Sequence, residues 1–156
     1  MNGITPPNDQ VSTIMSTKVV TVKSTEKVSV ALRSMVRHKI GSIIVVENGK
    51  PVGILTERDV STRVAKGQNL RAMVIKKTMS KPLVTVPPST QVWEAVELMV
   101  RKDMRRLAVI DNDKLTGMVT ERDIMDWLVR VAYAPNVPED LSKLLARREH
   151  AHSLAH

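Results

Sequence analysis

Hydrophobic and polar positions along the chain fall into two sets with the same order of elements. After a polar stretch over residues 1–10 that contains Pro6 and Pro7 and reads as a flexible arm, residues 11–15 form one helical turn leading into the first set. Val19, Val20, Thr21 and Val22 make a short β-branched strand. Ser24 or Thr25 then caps a helix with Glu26 in its first turn. Val28, Ala31, Leu32, Met35 and Val36 follow the i, i+3, i+4, i+7, i+8 spacing of an amphipathic helix, and Gly41 ends the region. Ile43, Ile44, Val45 and Val46 are a continuous apolar run, as expected of a strand buried on both faces. Asn48-Gly49 is a hairpin signal, and residues 52–55 return as the next strand. Thr56 opens a second helix with Val60 and Val64 turned inward, and residues 66–70 follow as a linker in which Gly67 is the stop.

The second set copies the first. Residues 73–78 repeat the approach, Val84-Thr85-Val86 is the strand, and Pro87-Pro88-Ser89 the turn. Val92, Ala95, Val96, Met99 and Val100 form the helix face, residues 107–110 the buried strand, Asp111-Asn112-Asp113 the turn and residues 115–119 the return. Thr120 caps the last helix, whose inner face uses Ile124, Trp127, Leu128 and Val131. The segment Gly53-Ile54-Leu55-Thr56-Glu57-Arg58-Asp59-Val60 comes back as Gly117-Met118-Val119-Thr120-Glu121-Arg122-Asp123-Ile124, an offset of 64 residues that holds without a gap from Met15 and Met79 onward. A fixed internal period means duplication. Each copy reads β-α-β-β-α, giving an α/β (α+β) chain with one repeat over residues 11–70 and another over 71–134. A unit of this size is marginal alone, so the two are expected to cover each other's sheets with two-fold pseudo-symmetry. Residues 135–156 read as a C-terminal helix and frayed tail: Pro138, Glu139 and Asp140 suit its start, Arg147 and Arg148 its end, and Leu141, Leu144 and Leu145 a narrow apolar stripe.

Composition narrows the class. The formal charge is +8, and residues 1–75 carry 11 basic against 5 acidic side chains, which favours an anionic partner. Cysteine and phenylalanine are absent, and Trp93, Trp127 and Tyr133 are the aromatic residues. Thiolate metal sites are therefore excluded, and a base-stacking platform is poorly supplied. No apolar run approaches the roughly 18 residues of a membrane span, so a soluble, cytoplasmic protein without membrane insertion is expected.

Chemistry concentrates in the duplicated Thr-x-x-Asp. At a strand-to-helix junction, first-turn N–H groups can meet an anion, a hydroxyl can donate to phosphate or ribose, and a carboxylate three residues on can accept from ribose hydroxyls. Arg58 and Arg122, between the two, can reach a phosphate. The same residues equally suit a plain N-cap with a first-turn acid. Retention of both Asp59 and Asp123 in a duplication that changed many neighbours favours binding. Catalysis is not expected. The histidines are His38, His150, His152 and His156, with His38 at a helix end and the others in the tail, and no nucleophile–base pair accompanies the aspartates.

The Gly-apolar-x-Thr-x-x-Asp segments at residues 53–59 and 117–123, the Arg106-Leu107-Ala108-Val109-Ile110-Asp111 run and the Met15 and Met79 approaches resemble a tandem pair of CBS (cystathionine beta-synthase) domains, a Bateman module, over about residues 11–133. The resemblance implies a regulatory binder of AMP, ADP or ATP that signals ligand state to a separate protein partner by conformational change, with no catalytic cofactor and with magnesium as a companion ion of the nucleotide. It implies that Thr56 with Asp59, and Thr120 with Asp123, hold ribose and phosphate. It places adenine near Val20, Val22, Ile43 and Ile44 in the first copy and Val84, Val86, Leu107 and Ala108 in the second. Before the central strand the second copy has Arg105-Arg106 where the first has Gly41-Ser42 with Lys39 nearby, so the two clefts are expected to differ, the one using Asp123 being better suited to phosphate. A homodimer or higher oligomer is implied too, with Met35, Val36, Met99 and Val100 as contributors or as core. The alternatives are a sensor of S-adenosylmethionine or related adenosyl compounds, a nucleic-acid binder using Lys18, Lys23, Arg33, Arg37, Lys39, Lys76, Lys77 and Lys81, and a partner-binding module with empty clefts.

Overall fold

The computed structural model describes residues 8–133; most of the N-terminal arm, the helix expected within 135–156 and its three histidines lie outside the described residues. Two compact units form, one of Ser16–Pro88 with Ala108–Met118, the other of the described parts of Met1–Met15, Ser89–Leu107 and Val119–His156.

In the first repeat β1 (Thr21–Lys23), β2 (Ser42–Glu47) and β3 (Lys50–Thr56) make a sheet of order β1-β2-β3. β1 runs parallel to β2, with Thr21 beside Ile44, and β2 runs antiparallel to β3, with Ile44 beside Ile54 and Ser42 beside Thr56. The hairpin turns through Asn48 at φ 51° and Gly49 at φ 78°, the two left-handed residues that a type I′ turn requires. α1 (Val28–His38) buries Val28, Ala31 and Met35, while α2 (Glu57–Ala65) buries Val60. With Val22, Ile43, Val45 and Leu55 these build a core on one face of the sheet.

Several boundaries differ from the sequence expectation. α1 is preceded by Lys27, not capped by Ser24 or Thr25. The Ser24 amide donates to the Val46 carbonyl, and the Glu26 carboxylate accepts from the Lys23 amide, so this stretch is held as a turn. The helix stops at Lys39, not Gly41: Lys39 takes a left-handed φ of 53° and returns its N–H to the last turn. Val36 and Val64, expected on inner faces, are 79% and 47% exposed. Each lies outside the narrow stripe that a short helix presses onto a three-stranded sheet, Val36 standing about 100° around from Met35.

The second repeat repeats the plan: β4 (Thr85–Val86), α4 (Val92–Arg101), β5 (Arg106–Asp111), β6 (Lys114–Thr120) and α5 (Glu121–Tyr133), with sheet order β4-β5-β6. Its turn uses Asn112 at φ 47° and Asp113 at φ 64°, an aspartate where the first repeat has glycine. Val92, Ala95, Met99, Ile124 and Trp127 are buried. Val100 is 76% exposed, and Leu128 and Val131, expected on the inner face of α5, are exposed too, which limits that face to the 124/127 edge of the stripe.

The approach segments, expected to lead into their own repeats, are tied to the opposite ones. α3 (Ile75–Thr78) precedes the second repeat, yet the Ile75 amide donates to the Glu26 carbonyl and the Val28 amide to the Met73 carbonyl, each at 3.0 Å. The 3-10 turn Val11–Thr13 precedes the first repeat, yet the Val11 amide donates to the Thr90 carbonyl and the Val92 amide to the Asp9 carbonyl, each at 2.8 Å. Val11 and Ile75, 64 residues apart, are both fully buried. The same exchange supplies the first turns of α1 and α4 with partners for N–H groups that a helix cannot satisfy internally.

Candidate functional site

The site is built where β3 gives way to α2. Thr56 is in extended backbone and caps α2, its hydroxyl accepting from the Asp59 amide at 3.1 Å while the Asp59 carboxylate accepts from the Thr56 amide at 2.8 Å. The Thr56 hydroxyl also donates its single proton to Asp59 Oδ2 at 2.7 Å. Ser80 Oγ donates to the other oxygen, Oδ1, at 2.8 Å. Thr56 and Asp59 are half-buried and Ser80 is exposed. The carboxylate is thus fixed in direction by three internal donors, and its charge sits where the α2 dipole favours it.

This arrangement alters the expected division of labour. Among the first-turn amides, Glu57 N–H donates to the Gly41 carbonyl and Asp59 N–H to the Thr56 hydroxyl, so two N–H groups expected to be open to an anion are already engaged. The Thr56 proton is engaged by Asp59 as well. Thr56 therefore orients the carboxylate, and the exposed Arg58 supplies the positive charge of this junction.

The junction recurs in the other unit. The Thr120 amide and hydroxyl both donate to Asp123 Oδ2 at 2.7 Å, and the Asp123 amide donates back to the hydroxyl at 3.3 Å. Glu121 N–H donates to the Arg105 carbonyl at 2.9 Å, the counterpart of the Glu57–Gly41 bond. Arg105 Nε lies 3.7 Å from Glu121 Oε2, both side chains exposed. Arg106 is half-buried and, by strand alternation, points to the face opposite the fully buried Leu107. The doublet is therefore split, and Lys39, the basic residue near the matching Gly41-Ser42 of the first repeat, is the exposed cap of α1.

Strand alternation also sorts the expected apolar residues. Val22 and Ile43 are in the core beneath α1, with Val20 packed against it. Ile44 stands on the opposite face, and its neighbours there are Thr21, Ser42, Ile54 and Thr56, by the pairing of Thr21 and Ile54 with Ile44 and of Thr56 with Ser42. Thr56 thus shares a sheet face with Ile44 and not with Val22 or Ile43. In the second repeat Val86 and Leu107 are buried, Ala108 pairs with Thr85, and Val84 is half-buried with its carbonyl accepting from the Ala108 amide. Thr21, Ser42, Ile54 and Ser80 were not among the expected site residues. The first three are signalled by period-2 alternation with Thr56 once the register is known, whereas Ser80 lies 21 residues from Asp59 and has no local signal.

Elsewhere, the Ser24 hydroxyl and then Lys76, whose Nζ is 3.3 Å from Oε1, hold the Glu47 carboxyl below its ordinary value. Among the described residues no group of three His, Cys, Asp or Glu could hold a metal ion, and no helix is long and apolar enough to cross a membrane.

Comparison with known proteins follows the repeat. The CBS domain family matches twice, at residues 11–66 and 74–130. The uncharacterized protein MK0525 of Methanopyrus kandleri is 38% identical over 128 residues, which are 80% of this chain and 64% of that relative. The hexameric CBS-CP12 protein from bloom-forming cyanobacteria superimposes with a TM-score of 0.74 at 28% identity, over 96% of this chain and 89% of that one. The CBS domain pair of protein MJ0100, solved in complex with 5′-methylthioadenosine and S-adenosyl-L-methionine, shares the fold at 24% identity, with a TM-score of 0.72 over 78% of this chain and 97% of that one. The two matched stretches take in both Thr-x-x-Asp junctions, and the chain belongs to the CBS domain family.

Proposed function

We propose that the chain is a regulatory module that binds an adenine nucleotide, AMP, ADP or ATP, and signals its presence to a separate protein partner. The supporting observation is the duplicated junction in which a half-buried aspartate, Asp59 or Asp123, is held rigidly by the threonine three residues before it. A carboxylate fixed in this way presents its oxygens as acceptors to ribose hydroxyls, and the entropy of orienting it is met on folding, not on binding. Arg58 and Arg122 give the phosphates a cation at each junction, and Arg106 gives the second junction one that Ser42 cannot match. The adenosyl compounds bound to the MJ0100 domain pair support the ligand class. Magnesium would accompany the nucleotide's phosphates, and occupancy would act by favouring one of two states that the partner also distinguishes.

Native mass spectrometry and thermal denaturation against AMP, ADP, ATP, S-adenosylmethionine and a short RNA test this reading. A ligand at 100 times its Kd stabilises the fold by about 2.7 kcal/mol, and the double variant Asp59→Asn/Asp123→Asn is expected to lose that gain. No stabilisation of the parent by any adenosyl ligand, or full stabilisation of the double variant, overturns it.

A second reading, nucleic-acid binding, draws on one observation. The unit of Ser16–Pro88 with Ala108–Met118 holds 15 basic and 6 acidic side chains, against 6 and 7 among the described residues of the other unit. An RNA complex formed through this surface would weaken steeply as salt rises, with a log–log slope of about −0.7 per single-strand phosphate contacted. A flat salt response eliminates it.

A further inference from the structure

The Asp59 carboxylate has about four acceptor directions, two on each oxygen. Oδ2 already receives the Thr56 amide at 2.8 Å and the Thr56 hydroxyl at 2.7 Å. Oδ1 receives the Ser80 hydroxyl at 2.8 Å. Among the described residues one direction is left, and it is on Oδ1. A ribose with both hydroxyls free brings two protons to the carboxylate that grips it.

We propose that Ser80 is a specificity-determining residue of this site, an internal competitor whose hydroxyl occupies the acceptor direction that the second ribose hydroxyl needs. The inference rests on Asp59 being the ribose acceptor and names what the bound sugar must displace. Thr56 cannot be the group displaced, because its amide and hydroxyl belong to the cap that starts α2. Ser80 is exposed and makes the third bond from a distant part of the chain.

Ser80 yields by rotating its side chain and not by moving its backbone. Its amide donates to the Ile54 carbonyl at 2.8 Å, and the Ile54 amide donates to its carbonyl at 3.0 Å. Gly53 closes the remaining space: a Cβ there would stand 2.8 Å from the Ser80 carbonyl oxygen and 2.9 Å from Met79 Sδ. With the backbone pinned against β3, the hydroxyl leaves Asp59 by turning about Cα–Cβ to another staggered position, where solvent can receive it. The handicap falls on ligands with an intact diol. A ligand with one sugar hydroxyl finds the open direction on Oδ1 without disturbing Ser80, and one with none gains nothing from its removal.

The test is calorimetric titration of AMP, and of 5′-methylthioadenosine with the same diol, into Asp123→Asn and Asp123→Asn/Ser80→Ala proteins, so that the Asp59 site is read alone. Removing one competing hydrogen bond to a carboxylate is expected to tighten both ligands by about 5-fold. The melting temperature without ligand should fall slightly, because the same hydrogen bond is lost from the unliganded fold, and the affinity for 2′,3′-dideoxyadenosine monophosphate should not move. Ser80→Thr, which keeps the hydroxyl, should retain the parent affinity. Unchanged or weaker binding by the alanine variant, or an equal gain for the dideoxy ligand, overturns the role of Ser80 while Asp59 remains a ribose acceptor. Failure of AMP and 5′-methylthioadenosine to bind either protein overturns both.

Discussion

Asp59 and Thr56 divide their hydrogen bonds between different atoms. The cap engages Oδ2 and the threonine hydroxyl, while Oδ1 accepts from Ser80. Thr-x-x-Asp was legible as a cap, and the cap is what fixes the direction of the carboxylate proposed to hold ribose. Glu47 carries a residue-scale prediction of its own. Ser24 and Lys76 lower its pKa in the fold, so the unfolded chain takes up the proton first as pH falls. The stabilisation is complete above the ordinary glutamate value and disappears as pH drops through the lowered one. Melting temperatures of the parent and Glu47→Gln should therefore differ at neutral pH and converge in acid; a constant gap would remove Glu47 from the acid response. Lys39 is a second case. A lysine at φ 53° is strained where glycine is not, so Lys39→Gly should raise stability by about 0.5–1 kcal/mol in denaturant titration.

Among the described elements, periodicity located every long helix and the two buried strands, because 3.6- and 2-residue repeats follow from helix and strand geometry. It erred at the ends. Ser24 and Glu26 have cap chemistry but close a turn, since the first-turn amide of α1 finds the Met73 carbonyl. That partner comes from the approach to the other repeat, a contact that no local pattern encodes. The reciprocal strap carries an extra tie, Trp127 Nε1 donating to Asp9 Oδ2 at 2.7 Å. Neither residue has an equivalent partner in the first repeat, where Arg63 and Met73 occupy the matching positions. Asp9→Ala should lower stability by about 1–2 kcal/mol, read as a fall in the urea midpoint at constant slope. An unchanged midpoint would mean that the backbone bonds of residues 9–11 hold the strap without it.

For the molecule as a whole, the exposed apolar positions fall at matching places in the two repeats. Val36 and Val100 are 79% and 76% exposed, Val64 and Leu128 47% and 43%, and each pair is separated by the repeat offset of 64. Duplicated exposure of this kind is what association of two copies through these helix faces would bury. Val36→Glu with Val100→Glu should shift the mass in native mass spectrometry toward monomer while leaving the ligand-free fold intact. A parent that is already monomeric, or a variant that stays associated, would reject this interface.

The sequence by itself determined the duplication, the β-α-β-β-α order, both hairpins and the two Thr-Asp junctions. Each of these is written in local spacing or in a string that recurs at fixed offset, and local spacing acts through steric and periodic rules that need no distant partner. Tertiary structure alone decided which repeat each approach segment straps and which side of the central strand faces Thr56. It also decided that Arg105 pairs with Glu121 while Arg106 turns away from Leu107, and that Ser80 reaches Asp59. Those outcomes depend on register and on hydrogen bonds between residues far apart in the chain. A shift of one residue in a strand exchanges its two faces, so they are fixed only when the whole sheet has formed.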